Sequence, residues 1–485
     1  MGMLKPLDAA WLYVDTKETP MHVGCMAIFS LPEDAGPDFI LSLFNHLRVA
    51  PRFAPPFNFK LSRPRLKGVL PVWKTAYKID LDYHLRHSAL PKPGGERELG
   101  VLVSRLHSHP MDFNRPLWEA HIIEGLENNR FALYMKMHHS MVDGVGGMRM
   151  LQKMMVADPK AAAMPPPWAI GRGQRERSGV KPPSFGDSLR EQLDVAPQVG
   201  KALGHLVAEH FRHRSPDEAL PFQGPRSILN QRVSGQRRFA TQYYELAQIK
   251  AVAKAASVSV NDVFLALCGG ALRRYLDEVQ ALPEASLTAG IPVSIRPEGD
   301  DETGNAISFI IASLNTHLTS PLDRLLAIRR STEVAKAQLR KLPAAGLTSY
   351  TALFMAPFMM QLVAGLGGVT RPMFNITVSN VPGPTQPLYF NGARMEQMYP
   401  VSLLSHGQGL NITCVSYAGQ FNIWLTGCRD SLPHMQRLAV YMGEALIELE
   451  QALGLADTPA KISAKPRRAV AKKAAAKPKA RKPKA

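Results

Sequence analysis

Cysteine is scarce in this chain of 485 residues: there are four, Cys25, Cys268, Cys414 and Cys428, at spacings that match no redox pair or zinc ligand set. That excludes a disulfide scaffold and suits a reducing, cytoplasmic setting. Acidic side chains are in deficit too, 40 Asp and Glu against 58 Lys and Arg, for a net charge of +18. The imbalance is concentrated at one end. Residues 461–485 hold eleven Lys or Arg and no Asp or Glu, which leaves +7 for everything before them. No secretory signal is expected at the start, because the first fourteen residues carry Lys5 and Asp8 and lack an apolar core of useful length. Residues 342–370 carry no charge over 29 positions, yet Pro343, Gly346, Thr348, Ser349, Pro357 and Gln361 interrupt them. The stretch reads as a buried or lipid-facing helix kinked at its proline rather than a membrane span.

What is present is apolar content, 45% of the chain, enough for two cores; a length of this order suggests two or three units at about 100–200 residues each. The informative stretch runs from Phe131 to Gly144. The alternation in Phe131-Ala132-Leu133-Tyr134-Met135-Lys136-Met137 predicts a strand, with Phe131, Leu133, Met135, Met137 and His139 on one face and Tyr134, Lys136 and His138 on the other. Asp143 and Gly144 end it, and a helix is expected from about Met148 to Met155. Two histidines therefore stand on a strand-to-helix turn. An imidazole there can act as a general base toward a hydroxyl that attacks a carbonyl. A purely structural pair is the plain alternative, and adjacent strand residues point to opposite faces, which makes them poor joint metal ligands.

Along the chain, Pro6–Tyr13 reads as a short helix with Asp8 at its N-cap, His22–Phe29 as a strand, and Pro37–Val49 as a helix. His84 and His87, three apart, lack a third ligand and read as structural. Glu98–His109 is helical, and the strand starting near Pro116 should pair with the Phe131 strand through a hairpin at Gly125–Asn129. The pattern dissolves between Val156 and Arg238, apart from a helix over about 184–212. Strand 239–245, a helix capped around Asn261 and Asp262, strands 288–296 and 306–318, and the helix 321–340 follow. Late strands lie at 375–379, 410–417 and 420–425, and a closing helix at 434–453. The Lys/Ala/Pro tail cannot bury apolar area and is expected to be disordered. Its charge suits anionic lipid or nucleic acid, with a solubilising extension the plain alternative.

The string His138-His139-x-x-x-Asp143-Gly144 resembles the active-site motif of acyl-CoA-dependent and carrier-dependent acyltransferases. Its flanks narrow the resemblance. Pro6-Leu7-Asp8-Ala9, Pro20-Met21-His22-Val23-Gly24, Arg115-Pro116-Leu117-Trp118-Glu119, Asn261-Asp262, Pro292-Val293-Ser294-Ile295-Arg296 and Ser379-Asn380-Val381-Pro382-Gly383-Pro384 are similar to blocks of the bacterial wax ester synthase/diacylglycerol acyltransferase family, in the family's order.

That resemblance implies an α/β fold of two chloramphenicol acetyltransferase-like halves meeting at a central tunnel: residues 1–160 with the histidine motif, a crossover over 161–238, a second half over 239–457 and the tail 458–485. It implies His139 as general base and Asp143 as an orienting carboxylate neutralised by Arg296. His138 and Gly144 are supporting residues, and Asn261 is a candidate oxyanion donor beside its capping alternative. No metal or bound cofactor is implied. The expected partners are acyl-CoA, diacylglycerol or a long-chain alcohol, and a membrane surface or lipid droplet; the expected location is cytoplasmic, peripheral to the inner membrane or lipid inclusions. A condensation-type enzyme with a carrier-bound donor and a non-catalytic lipid-droplet protein are the competing readings.

Overall fold

The structure is a computed structural model that describes residues 2–4, 6–49, 52–68, 71–142, 144–161, 164–170, 215–294, 307–340 and 344–455. The expected helix over 184–212 and the basic tail lie outside the described residues, as do Asp143 and Arg296.

The first half contains strands β1 Gly2–Met3, β2 His22–Ser30, β3 Phe59–Leu61, β4 Val72–Thr75, β5 Leu85–Ala89, β6 Trp118–Leu126 and β7 Arg130–His138. Its helices are α1 Pro6–Tyr13, α2 Phe39–Arg48, α3 Leu81–His84, α4 Glu96–Ser108, α5 Gly144–Lys153 and α6 Pro167–Ile170. In the second half come β8 Arg237–Glu245, α7 Leu246–Ala255, α8 Val260–Glu278, β9 Thr288–Ser294, β10 Ile307–Ser313, α9 Pro321–Arg340 and α10 Ala344–Val363. They are followed by β11 Ile376–Pro382, β12 Tyr389–Phe390, β13 Ala393–Val401, β14 Leu410–Tyr417, β15 Gln420–Cys428 and α11 Arg437–Ala452.

Each half is built on a sheet of six strands, in the orders β12-β13-β2-β7-β6-β5 and β10-β9-β11-β14-β15-β8. β7 is central in the first, pairing antiparallel with β2 and β6. Both of its faces are buried, Phe131, Leu133, Met135 and Met137 in one core and Ala132 and Tyr134 in another, which is why the strand reads as an almost unbroken apolar run. The hairpin joining β6 to β7 turns at Asn128 and Asn129, both at positive φ (64° and 52°), a conformation asparagine tolerates better than most residues. Helix α4 belongs to the first half, but its Leu99, Leu102 and Val103 share a core with Phe239 and Trp424 of the second. The two sheets are thus joined through it.

Several local expectations change. Asp8 lies within the first turn of α1, not before it. Helix α5 begins at Gly144, ahead of the glycine pair at 146 and 147. The N-cap of α8 is Ser259, whose hydroxyl accepts the Asp262 amide while Asp262 accepts the Ser259 amide; Asn261 and Asp262 are already helical. The strand expected over 306–318 stops at Ser313, and the chain turns through Asn315 at φ 49°. No late strand was expected at 389–401, yet β12 and β13 leave the second half and complete the first half's sheet, β13 pairing antiparallel with β2. Among the described residues no single helix is long and apolar enough to cross a membrane.

The donated strand is anchored by Tyr417, whose buried hydroxyl donates to the Met395 carbonyl and accepts the Leu388 amide, each at 2.9 Å. Tyr417→Phe strands both backbone groups, so the free energy of urea unfolding is expected to fall by about 2 kcal/mol; an unchanged value would contradict this anchoring role.

Candidate functional site

β7 delivers the histidine pair to its C-terminal end, and two backbone hydrogen bonds pin it there. The His138 amide donates to the Leu117 carbonyl (3.0 Å) and the His139 amide to the Met21 carbonyl (2.8 Å). The blocks Arg115–Glu119 and Pro20–Gly24 therefore meet at the motif. Leu117 and Trp118 are fully buried, and the Trp118 indole donates to the Phe57 carbonyl (2.9 Å) while stacking on Trp168.

The two imidazoles part company, as the strand period requires. His138 is buried. Its Nδ1 accepts the Ser140 amide (3.2 Å) and lies 2.7 Å from the Ser140 hydroxyl, so the ring proton sits on Nε2, 3.5 Å from the Asp15 carboxylate. Burial opposes ionisation of Asp15, but the contact with His138, the Met21 amide (2.8 Å) and the Lys67 ammonium (3.2 Å) together hold its carboxyl below the usual range. His139 points the other way and is half-buried, with its ring stacked on the Trp11 indole at 4.2 Å between centroids and 23° between planes.

Gly144 opens α5 immediately after the turn. Asn261 stands in the first turn of α8, part-exposed, and the bonds fixing that turn run instead through Ser259, Asp262 and the Thr332 hydroxyl, which donates to Asp262 at 2.7 Å. The structure thus brings together His138, His139 and Gly144, while Asp143 and Arg296 fall outside the described residues. Among the described residues no group of three or more His, Cys, Asp or Glu is placed to hold a metal ion. His84 donates from Nδ1 to the Trp118 carbonyl (2.7 Å) and His87 sits 3.3 Å from Glu124, both structural contacts. Sequence reading missed Trp11 and Asp15. Trp11 read as one more apolar residue of an amphipathic helix, and nothing in the chain marks residue 15 as a neighbour of residue 138.

Two lobes of mixed sheet and helix with a histidine pair at the end of a central strand define a chloramphenicol acetyltransferase-like α/β fold. The first condensation domain of the calcium-dependent antibiotic synthetase, 16% identical, shares this fold over 95% of the present chain and 97% of its own, with a TM-score of 0.55. Finer comparison is decisive. The wax ester synthase/diacylglycerol acyltransferase catalytic domain signature matches residues 4–264, and the C-terminal domain signature of the same family matches residues 303–450. The wax ester synthase/diacylglycerol acyltransferase from Marinobacter aquaeolei VT8 is 40% identical and superposes with a TM-score of 0.76 over 94% of this chain and all of its own. The O-acyltransferase WSD of Acinetobacter baylyi is 40% identical over 453 residues, 92% of this chain and 96% of that protein. A Mycobacterium tuberculosis protein named for diacylglycerol O-acyltransferase is 43% identical over 488 residues, 93% of this chain and 98% of its own. The chain belongs to the wax ester synthase/diacylglycerol acyltransferase family and is an acyltransferase of lipid metabolism.

Behind the motif, on the far face of β7, lies a second set of buried polar groups. His22 donates to the His107 carbonyl (2.7 Å); His107 donates to the Ser402 carbonyl (3.3 Å) and accepts the Tyr134 hydroxyl (2.7 Å). Lys136 donates to the Leu106 and His109 carbonyls, both at 3.0 Å, closing the end of α4. Glu119 lies 3.3 Å from Lys136; burial opposes its ionisation, but His121, Lys136 and Arg86 bring its carboxyl down to about 2. Burial is the leading cause that holds His22, His84, His107, His121 and His138 below the ordinary histidine value of 6.5. The unfolded chain therefore binds protons below pH 6.5 that the folded chain refuses, and stability present above that value is lost as pH falls, by at most about 1.4 kcal/mol per unit for each histidine. The unfolding free energy is expected to drop by about 2 kcal/mol or more between pH 7 and pH 5 in urea titrations. A flat profile would contradict five neutral buried imidazoles.

Proposed function

We propose that the chain transfers a fatty acyl group from acyl-CoA to the hydroxyl of diacylglycerol or a long-chain alcohol, with His139 as general base. The observation that carries this reading is the setting of that imidazole. Its Nδ1 is buried and its ring is flanked by an indole, which leaves Nε2 as the nitrogen able to meet a reacting hydroxyl. Nε2 takes the hydroxyl proton as the oxygen attacks the thioester carbonyl. The tetrahedral oxyanion then collapses, the carbon–sulfur bond breaks, and the departing thiolate recovers the proton from the imidazolium, giving ester and CoA. No cofactor enters this balance.

Within this scheme Asp143, paired with Arg296, orients the turn, Gly144 permits its bend, and the Asn261 carboxamide, left without a protein hydrogen bond among the described residues, is available to the oxyanion. The names of the relatives support both acceptor classes, diacylglycerol and alcohols. A carrier-bound donor has weaker support, since the condensation-domain likeness extends to the fold alone.

The reading includes a lipid surface as the source of acceptor and the resting place of product, with the protein peripheral to a membrane or lipid inclusion. The end of α10 and the loop after it suit such a contact. Met360, Val363, Leu366 and Val369 are 69%, 66%, 44% and 54% exposed. Arg226 and Arg232 border them, donating to the Val369 and Gly365 carbonyls at 3.0 and 3.1 Å. Apolar side chains bordered by two guanidinium groups match an anionic bilayer interface.

Purified protein given palmitoyl-CoA with diolein or hexadecanol is expected to release free thiol, and His139→Ala to lower that rate by at least about a hundredfold; undiminished release by the variant would remove the base assignment. In flotation with vesicles containing phosphatidylglycerol, the combined change Met360→Gln, Val363→Gln and Val369→Gln is expected to weaken binding several-fold while sparing turnover of detergent-dispersed substrate. Equal flotation would contradict the proposed lipid-facing surface.

A further inference from the structure

The segment from Trp11 to Met21 touches the motif at three points. The Trp11 face lies against the His139 ring, the Asp15 carboxylate against His138 Nε2, and the Met21 carbonyl receives the His139 amide. Asp15 does more than balance charge, because its Oδ2 also accepts the Met21 amide (2.8 Å). One carboxylate therefore ties the segment to itself and to the motif. The segment is in turn held from outside. The Lys67 ammonium donates to the Leu12 and Asp15 carbonyls (3.2 and 2.8 Å) and to the Asp15 carboxylate (3.2 Å). From the second half the buried Arg237 donates to the Glu18 carbonyl (2.8 Å).

We propose that this segment is a strap that positions the catalytic base, with Trp11 setting the plane of the His139 ring and Asp15 fixing the turn through His138. The proposal rests on the reading of His139 as the base. Its physical basis is selective contact. Leu12, the neighbour of Trp11, belongs to the first half's core, whereas Trp11 itself is part-exposed and has His139 as its one aromatic partner among the described residues. Its flat face is thus committed to the imidazole and not to filling the core. An imidazole on a turn has two soft side-chain torsions, and a stacked ring at 4.2 Å and 23° restricts the second without taking up either nitrogen. Asp15 acts one step further away: Ser140 engages His138 Nδ1 while the Asp15 carboxylate faces Nε2 at 3.5 Å, which confines that ring from both sides and, with it, the backbone from which His139 departs. Neither residue touches reacting atoms, so both are positioning residues. Arg237, holding Glu18, makes the strap's placement depend on how the second lobe sits against the first.

The test is a double-mutant cycle on the full chain, read as thiol release under saturating and limiting acyl-CoA. Trp11→Ala is expected to lower kcat by about tenfold to a hundredfold, the size of loss that small misplacements of a catalytic group produce, with KM for acyl-CoA within about threefold. Trp11→Phe, which keeps a flat ring, is expected to restore most of kcat. In the His139→Ala background, Trp11→Ala is expected to cost nothing further, since there is no base left to position. A full multiplicative loss in that background, a change confined to KM, or a Trp11→Phe variant as slow as Trp11→Ala would each overturn the proposal. Should Trp11→Ala lose its cooperative melting transition, Trp11→Leu takes its place in the cycle with the same criteria. A rapid His139→Ala single variant, by contrast, points at the base assignment itself. Asp15→Asn keeps the acceptor for the Met21 amide but loses the charge facing His138, and is expected to lower kcat less than Asp15→Ala; the reverse order would remove Asp15 from the strap.

Discussion

Two hydrogen bonds, from the consecutive amides of His138 and His139 to the carbonyls of Leu117 and Met21, are the constraint on which the site depends. They belong to the end of a strand buried on both faces, so the backbone there has no water to fall back on and must be satisfied by protein. Because consecutive strand residues face opposite ways, the same two bonds assign the imidazoles to separate environments. His138 goes to a closed pocket with Ser140 and Asp15, where it can do nothing but hold. His139 goes to the other side, half-buried against an indole. The division of labour within the motif is a consequence of strand geometry before it is one of chemistry.

The polar groups beneath β7 extend the same logic. Lys136 is fully buried yet meets two helix-terminal carbonyls and a carboxylate, so α4 is held against the strand that carries the motif. Through Phe239 and Trp424 the same helix is held against the second lobe. β13 crosses in the other direction and pairs with β2, whose first residue, His22, lies opposite His138. The lobes are therefore interlocked at the elements that flank the histidines.

Much of this was legible in the chain. Period-two alternation located β7, and the Gly125–Asn129 segment located its hairpin; the string from His138 to Gly144 located the turn. The six flanking blocks identified the family, and two of them meet at the motif: Leu117 and Met21 supply the two carbonyls that pin the pair. What could not be read were contacts without a sequence period. Trp11 and Asp15 meet His139 and His138 across more than a hundred residues, and neither carries a local signal. β12 and β13 were missed for a related reason: β12 is only two residues long, the register of β13 shifts between Met395 and Gln397 and so breaks the alternation, and only the partner strand β2, far back in the chain, makes that segment a strand. Caps were misplaced by a few residues, as at Ser259, where a carboxylate at the third helical position serves the cap without being it.

The central claim is that the His139 imidazole stands where an acceptor oxygen and a thioester carbon meet. A crystal structure of the protein with a non-hydrolysable thioether analogue of palmitoyl-CoA and a long-chain alcohol measures this directly. The account predicts the alcohol oxygen within hydrogen-bond reach of His139 Nε2, about 3 Å, with the carbon that stands for the thioester carbonyl next to that oxygen. An alcohol oxygen held by other groups, with His139 facing neither ligand, would contradict it.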